Sequence, residues 1–153
     1  MTDIFKDIEP MVYKSQINVP YSWWAGKTAS KFFTELKENK KIMGTKCDKC
    51  SKVYVPPRKI CPFCFKENQA WVELSDEGIL LSYTIVRKQL ASLPKKVPVI
   101  YGLIKLDGAD TGLLHFIDEV LPKDIKIGMR LKACFLEERA GKIQDIGYFK
   151  PIN

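Results

Sequence analysis

Cys47-Asp48-Lys49-Cys50 and Cys61-Pro62-Phe63-Cys64 set two Cys-x-x-Cys pairs ten residues apart. Each pair puts two sulfurs on one small backbone loop. Two such loops facing each other supply a tetrahedral four-thiolate shell, the environment that zinc prefers. A four-cysteine shell leaves no open coordination position for water or substrate, so the expected metal is structural. Iron fits the same four sulfurs, because thiolate geometry alone does not separate the two metals.

The fifth cysteine, Cys134, lies in the strand-like stretch Leu131-Lys132-Ala133-Cys134-Phe135-Leu136, and the single histidine, His115, lies in Leu113-Leu114-His115-Phe116-Ile117. A nucleophilic cysteine needs a nearby base and a group to orient that base. The sequence signals no third group, and both residues read as buried strand positions. The chain is therefore expected to carry no catalytic residue of its own.

Charge is concentrated where the metal would sit. Between Lys37 and Lys59, eight basic residues oppose Glu38 and Asp48, which accounts for +6 of the total +7. Lys46, Lys49, Lys52, Arg58 and Lys59 make the expected finger a basic surface, suited to the phosphates of nucleic acid or of coenzyme A, or to an acidic protein. Lysines beside four bound thiolates also offset the negative charge of the site itself.

Three segments position these residues, at 1–39, 40–74 and 75–153. In the first, Tyr21, Trp24, Ala25, Ala29, Phe32, Phe33 and Leu36 recur at three- and four-residue steps, which predicts an amphipathic helix or two short ones between about Pro20 and Asn39. Trp23 falls off that stripe, as a docking aromatic would. The preceding residues, 1–19, have little periodicity and read as an extended arm. In the second segment, 41–46 and Val53-Tyr54-Val55 flank the first knuckle as strands, and Pro56-Pro57 breaks the pairing before the second. So small a ribbon draws much of its folding free energy from its metal.

The third segment reads as five strands at 79–86, 97–106, 112–117, 130–137 and 143–149, separated by Pro94, Asp107-Gly108, Pro122, Gly128 and Gly141. Five short strands with the longest connection before the fourth fit an OB-type barrel. The expected fold is mainly β with an N-terminal helix: a rubredoxin-like zinc ribbon followed by a five-stranded OB-fold barrel. Hydrophobic residues make up 46% of the 153, enough for a packed interior, and no apolar run reaches the roughly 20 residues of a membrane span. The first ten residues lack the basic start and apolar core of a secretory leader, so a cytoplasmic chain with reduced thiols is expected.

A helix with a basic end, two knuckles with Pro56-Pro57-Arg58 before the second, Trp71, a strand Gly78-Ile79-Leu80-Leu81-Ser82-Tyr83-Thr84, then Ile127-Gly128-Met129 and Phe149-Lys150-Pro151 together resemble the zinc-ribbon/OB-fold family associated with acyl-CoA metabolism. The match spans about Tyr21 to Pro151. Ser51 and Asn39 depart from it, standing where glycine usually follows the first knuckle and the helix. Both places favour positive φ, which asparagine tolerates better than serine. The resemblance implies a small accessory subunit in a hetero-oligomer with a thiolase-like enzyme, as in the small subunit of benzoylsuccinyl-CoA thiolase. It also implies that catalytic groups belong to the partner, while the finger's Lys46, Lys49, Lys52, Arg58 and Lys59 lie near an acyl-CoA. Tyr54, Phe63 and Phe65 would touch the acyl group or partner, or form a small core around the metal. A nucleic-acid-binding module is the alternative. It requires a basic, aromatic barrel face, and the barrel segment is nearly neutral.

Overall fold

A computed structural model describes residues 7–9, 11–89, 91 and 93–152. The expected arm at 1–19 lies partly outside these residues. What is described of it carries no helix or strand.

Helix α1 spans Gly26–Asn39 and buries Phe32 and Leu36, with Phe33 packed beside them. The helix starts later than the apolar stripe suggests. Gly26 has a φ of +83°, a left-handed value through which a right-handed helix cannot run. Tyr21, Trp23 and Trp24 therefore precede the helix, and all three are exposed. At the other end the left-handed residue is Lys40, with a φ of +54°, rather than Asn39; its N–H reaches the carbonyl of Glu35. Asn39 instead completes the last turn and donates its side-chain amide to Glu35 at 2.7 Å.

Strands β1 (Ile42–Lys46), β2 (Val53–Tyr54) and β3 (Ala70–Leu74) form an antiparallel sheet in the order β2-β1-β3. The third strand is a structural addition to the expected ribbon. Its five residues pair along the whole of β1, from Ile42 opposite Leu74 to Lys46 opposite Ala70. Gly44 permits this close packing, because a Cβ there would stand 2.9 Å from the carbonyl oxygen of Tyr54.

Strands β4 (Glu77–Val86), β5 (Val99–Leu106), β6 (Leu113–Ile117), β7 (Arg130–Phe135) and β8 (Ile146–Pro151) close into a barrel in the order β4-β5-β6-β8-β7. Consecutive strands β4, β5 and β6 pair antiparallel. The ring is completed by β4 against β7 and by the parallel contact of β6 with β8 at Ile117 and Phe149. Alternation along β5 sends Ile100, Ile104 and Leu106 inward, to meet Leu80, Leu113, Leu131, Ile146 and Phe149. The last strand begins at Ile146, not at Ile143, because Ile143–Asp145 forms a 3-10 turn. The buried Asp145 carboxylate accepts the N–H groups of Ala140 and Gly141 at 2.9 and 2.7 Å and of Lys142 at 3.2 Å, winding the chain into a turn.

The helix, the base of the ribbon and the barrel share one core, in which Phe32, Leu36, Ile42, Val53 and Val55 are continuous with the barrel interior. The ribbon is also fastened at its edge. Val53 exchanges hydrogen bonds with Asp110, through backbone N–H to carbonyl at 2.9 Å and backbone N–H to carboxylate at 2.8 Å. The Thr111 hydroxyl receives the N–H of Val55 at 2.8 Å and donates to its carbonyl at 2.9 Å. The turn between β5 and β6 thus stands where another ribbon strand would pair.

Candidate metal centre and basic finger

The two knuckles are built alike. After Cys47 the chain turns so that the Ser51 N–H reaches the Cys47 carbonyl at 2.8 Å; after Cys61 the Phe65 N–H reaches the Cys61 carbonyl at 2.9 Å. Each turn ends in a left-handed residue, Ser51 at a φ of +58° and Phe65 at +53°. The positive φ expected at Ser51 is present. Its counterpart at Phe65 carries no sequence signal, since a phenylalanine in that conformation is costly and unpredictable from residue type.

Thr45 joins the knuckles from below. Its buried hydroxyl donates to the Arg58 carbonyl at 3.0 Å and accepts the Arg58 N–H at 2.9 Å. Asn68 completes the brace, with its amide to the Arg58 carbonyl at 2.9 Å and its backbone N–H to that of Lys59 at 2.7 Å. The second knuckle is thereby held over the first strand by three polar groups that are largely screened from water.

This frame gathers Cys47, Cys50, Cys61 and Cys64, with all four sulfurs within 4.8 Å of one another. Cys50 and Cys61 are 3.7 Å apart, close to the edge of about 3.8 Å in a tetrahedron with metal–sulfur bonds of about 2.3 Å. The donor set and its dimensions fit a four-coordinate thiolate metal, and the four cysteines are positioned to bind one. Cys47 and Cys61 are fully buried, while Cys50 and Cys64 are partly exposed. Burial pushes the Cys61 thiol up, but hydrogen bonds from the Tyr54 hydroxyl and the Cys64 and Phe63 N–H groups outweigh it and bring it to about 6. Burial and the neighbouring cysteines push Cys64 to about 12. The hydrogen bonds that converge on Cys61 favour its thiolate form, the form that a metal requires.

The basic residues around the centre are all exposed, but they are not equivalent. Lys52 places its ammonium 4.0 Å from the ring centroid of Phe63, a cation–π contact that ties one knuckle to the other. Lys59 lies 3.8 Å from Glu67. Lys49 lines an open cleft of about 470 Å³ with Asp48, Lys66, Glu67 and Gln69. Lys59 borders a second, of about 460 Å³, where Trp24, Lys27 and Thr28 at the start of α1 approach the finger. Of the finger aromatics, Tyr54 belongs to the small core around the sulfurs. Phe63 and Phe65 are 66% and 83% exposed and so are available to a partner.

His115 and Cys134 are not brought together as a reactive pair. The imidazole is buried among Phe116 and Phe149, with Nε2 3.1 Å from the Ile143 carbonyl oxygen. Cys134 pairs in register with Tyr148 on the neighbouring strand. No helix among the described residues is long and apolar enough to cross a membrane.

Comparison with known proteins places the same two parts in the same order. Residues 35–68 match the rubredoxin-like zinc ribbon domain of ChsH2, and residues 71–136 match its C-terminal OB-fold domain. A DUF35 domain-containing scaffold protein of Methanocaldococcus jannaschii is 29% identical over 131 residues, covering 82% of this chain and 92% of the relative. A scaffold protein of the same description from Pyrococcus furiosus is 28% identical over 67% of this chain and 74% of its own. Among solved structures, the Ltp2-ChsH2(DUF35) aldolase superposes with a TM-score of 0.64 at 22% identity, over 84% of this chain and 98% of that one, a likeness of fold. A DUF35-family protein of unknown function from Sulfolobus solfataricus also gives a TM-score of 0.64, at 30% identity over 83% of this chain and 87% of its own. With ribbon, barrel and most of the length shared with these relatives, the chain belongs to the DUF35 family.

Proposed function

We propose that this chain is a non-catalytic accessory subunit that docks on a thiolase-like enzyme and helps to bind or position an acyl-CoA, with structural zinc held by Cys47, Cys50, Cys61 and Cys64. The observation that carries this reading is the character of the metal centre: four thiols close on one another beneath an exposed basic and aromatic finger, a device for shape and charge rather than for reaction. When bound, the metal supplies cross-linking of the two knuckles. This chain's own residues do the rest: Thr45 and Asn68 fix the second knuckle, and Lys49, Arg58 and Lys59 present positive charge to a phosphate or an acidic rim.

Support also comes from the exposed apolar chain before the helix. Tyr21 stacks on Trp23 with ring centroids 5.2 Å apart, and Trp24 lies beside them, 74% exposed. Large aromatics of this kind are enriched at protein interfaces. Two relatives are described as scaffold proteins, and a ChsH2 protein of the same fold is found with Ltp2 in an aldolase.

The nucleic-acid alternative finds little support on the barrel. Arg130 is engaged by Asp107 and Glu77, Lys132 by Glu77 and Asp76, Lys95 by Asp118, and Lys150 by Glu119. These four cations are partly neutralised, and residues 75–153 as a whole carry twelve Lys and Arg against ten Asp and Glu, short of the basic groove that single strands require.

Native co-purification with metal analysis on the same sample tests the proposal. A stoichiometric thiolase-like enzyme with about one zinc per chain supports it. Salt-labile nucleic acid in place of an enzyme overturns it.

A further inference from the structure

Tyr54 is 1% exposed and is one of the largest fully buried side chains of the protein. It stands on β2 opposite Thr45, and its ring packs with Cys47 and Cys61. Its hydroxyl oxygen lies 3.2 Å from Cys61 Sγ. Phenylalanine would fill this space equally well. A buried hydroxyl costs free energy unless it finds a partner, and here the sulfur is in reach to offset that cost.

The direction of this hydrogen bond follows from the metal centre, and the inference rests on that reading. A metal-bound cysteine carries no proton, so sulfur can only accept and the phenol must donate. Cys61 receives a further contact from the Cys64 N–H at 3.4 Å. The donors come from two elements, the β2 strand and the second knuckle itself, and so fix the sulfur from two directions.

We propose that Tyr54 is a positioning residue of the metal centre: its hydroxyl donates to the Cys61 thiolate, aims that sulfur at the metal and reduces the charge it gives to the metal. Outer-shell partners of this kind commonly hold metal affinity up by about 10-fold to 100-fold. The orientation of Cys61 is thereby set from outside its own knuckle as well as from within it.

Cobalt substitution tests the assignment by a spectroscopic readout that packing alone does not move. The full chain and its Tyr54→Phe variant are loaded with cobalt and compared. Both are expected to show the visible bands of a tetrahedral centre, while the variant's sulfur-to-cobalt charge-transfer band moves to longer wavelength and its cobalt affinity falls by about 10-fold. A folded variant with an unchanged charge-transfer band and affinity overturns the proposal. If the variant does not fold, the wild-type chain loaded with cadmium-113 decides. A Tyr54 hydroxyl proton protected from exchange and coupled to the metal through Cys61 supports the hydrogen bond; a freely exchanging, uncoupled hydroxyl overturns it. A wild-type chain that takes neither metal overturns the metal centre itself, an outcome distinct from failure of the Tyr54 role.

Discussion

Cys61 combines three roles that the other ligands divide: it is fully buried, it opens the second knuckle, and it accepts hydrogen bonds from Tyr54 and from the Cys64 backbone. Cys61→Ser should therefore abolish tight metal binding and unfold the knuckles, since metal supplies about 10 to 16 kcal/mol in comparable peptides. Metal analysis and circular dichroism check this, and a metal-free variant with an intact ribbon contradicts it. A second residue-scale prediction concerns His115. Burial holds its pKa below the ordinary value near 6.5. The unfolded chain then takes up a proton more readily than the folded one, so the stability it contributes is complete above about pH 6.5 and is lost as pH falls below it. Denaturant midpoints of wild type and His115→Gln should diverge below that pH, by at most about 1.4 kcal/mol per pH unit. Parallel curves would exclude the effect. That the four cysteines would be gathered was legible from spacing alone, because a four-thiolate metal site dictates it. Tyr54 was visible only as one of several finger aromatics, since its contact with Cys61 depends on the register between β1 and β2.

At the scale of elements, what residue order conceals is non-local pairing. The five barrel strands were readable because turn residues punctuate them. Strand β3 was not, since it gains its identity from β1, with Lys46 paired to Ala70, and only Trp71 marked the place. The start of α1 was hidden for a different reason: Tyr21 and Trp24 extend the apolar period, but the backbone at Gly26 interrupts the helix that the period implies. The 3-10 turn before β8 likewise overrode a β-like run, and its cause is testable. Asp145 collects three backbone N–H groups, and these hold its carboxyl below the usual carboxylate range despite its burial. Asp145→Ala removes these acceptors and should cost about 1 to 3 kcal/mol. Thermal or denaturant unfolding measures the loss; a change below a few tenths of a kcal/mol would show that water replaces the carboxylate.

At the scale of the molecule, charge is most concentrated on the finger, where residues 37–59 carry +6 of the total +7. Four barrel cations, Lys95, Arg130, Lys132 and Lys150, are tied to carboxylates, while Lys49 and Arg58 stand exposed on the finger with Lys59, itself 3.8 Å from Glu67. Under the proposed function, reversing Lys49, Arg58 and Lys59 together to glutamate should lower acyl-CoA turnover of the complex with the partner enzyme by about 10-fold at low ionic strength, and by less as salt is raised. Metal content and melting temperature should stay near wild type. Lys52 is left out of this set because its loss would also release Phe63. Unchanged turnover would remove the finger from the acyl-CoA path.

The clamp of Asp110 and Thr111 on Val53 and Val55 carries a thermodynamic consequence. The strand that carries Tyr54 completes its hydrogen bonds only when the turn between β5 and β6 is in place, and the two strands that flank that turn are barrel strands. Metal capture at one end and ring closure at the other are therefore linked equilibria: each ligand bound by the knuckles is also a vote for the barrel. Chelation should lower the melting temperature of the whole chain in one cooperative transition. Thr111→Val should lower that melting temperature, while the Asp110 bonds and the shared core keep the transition single.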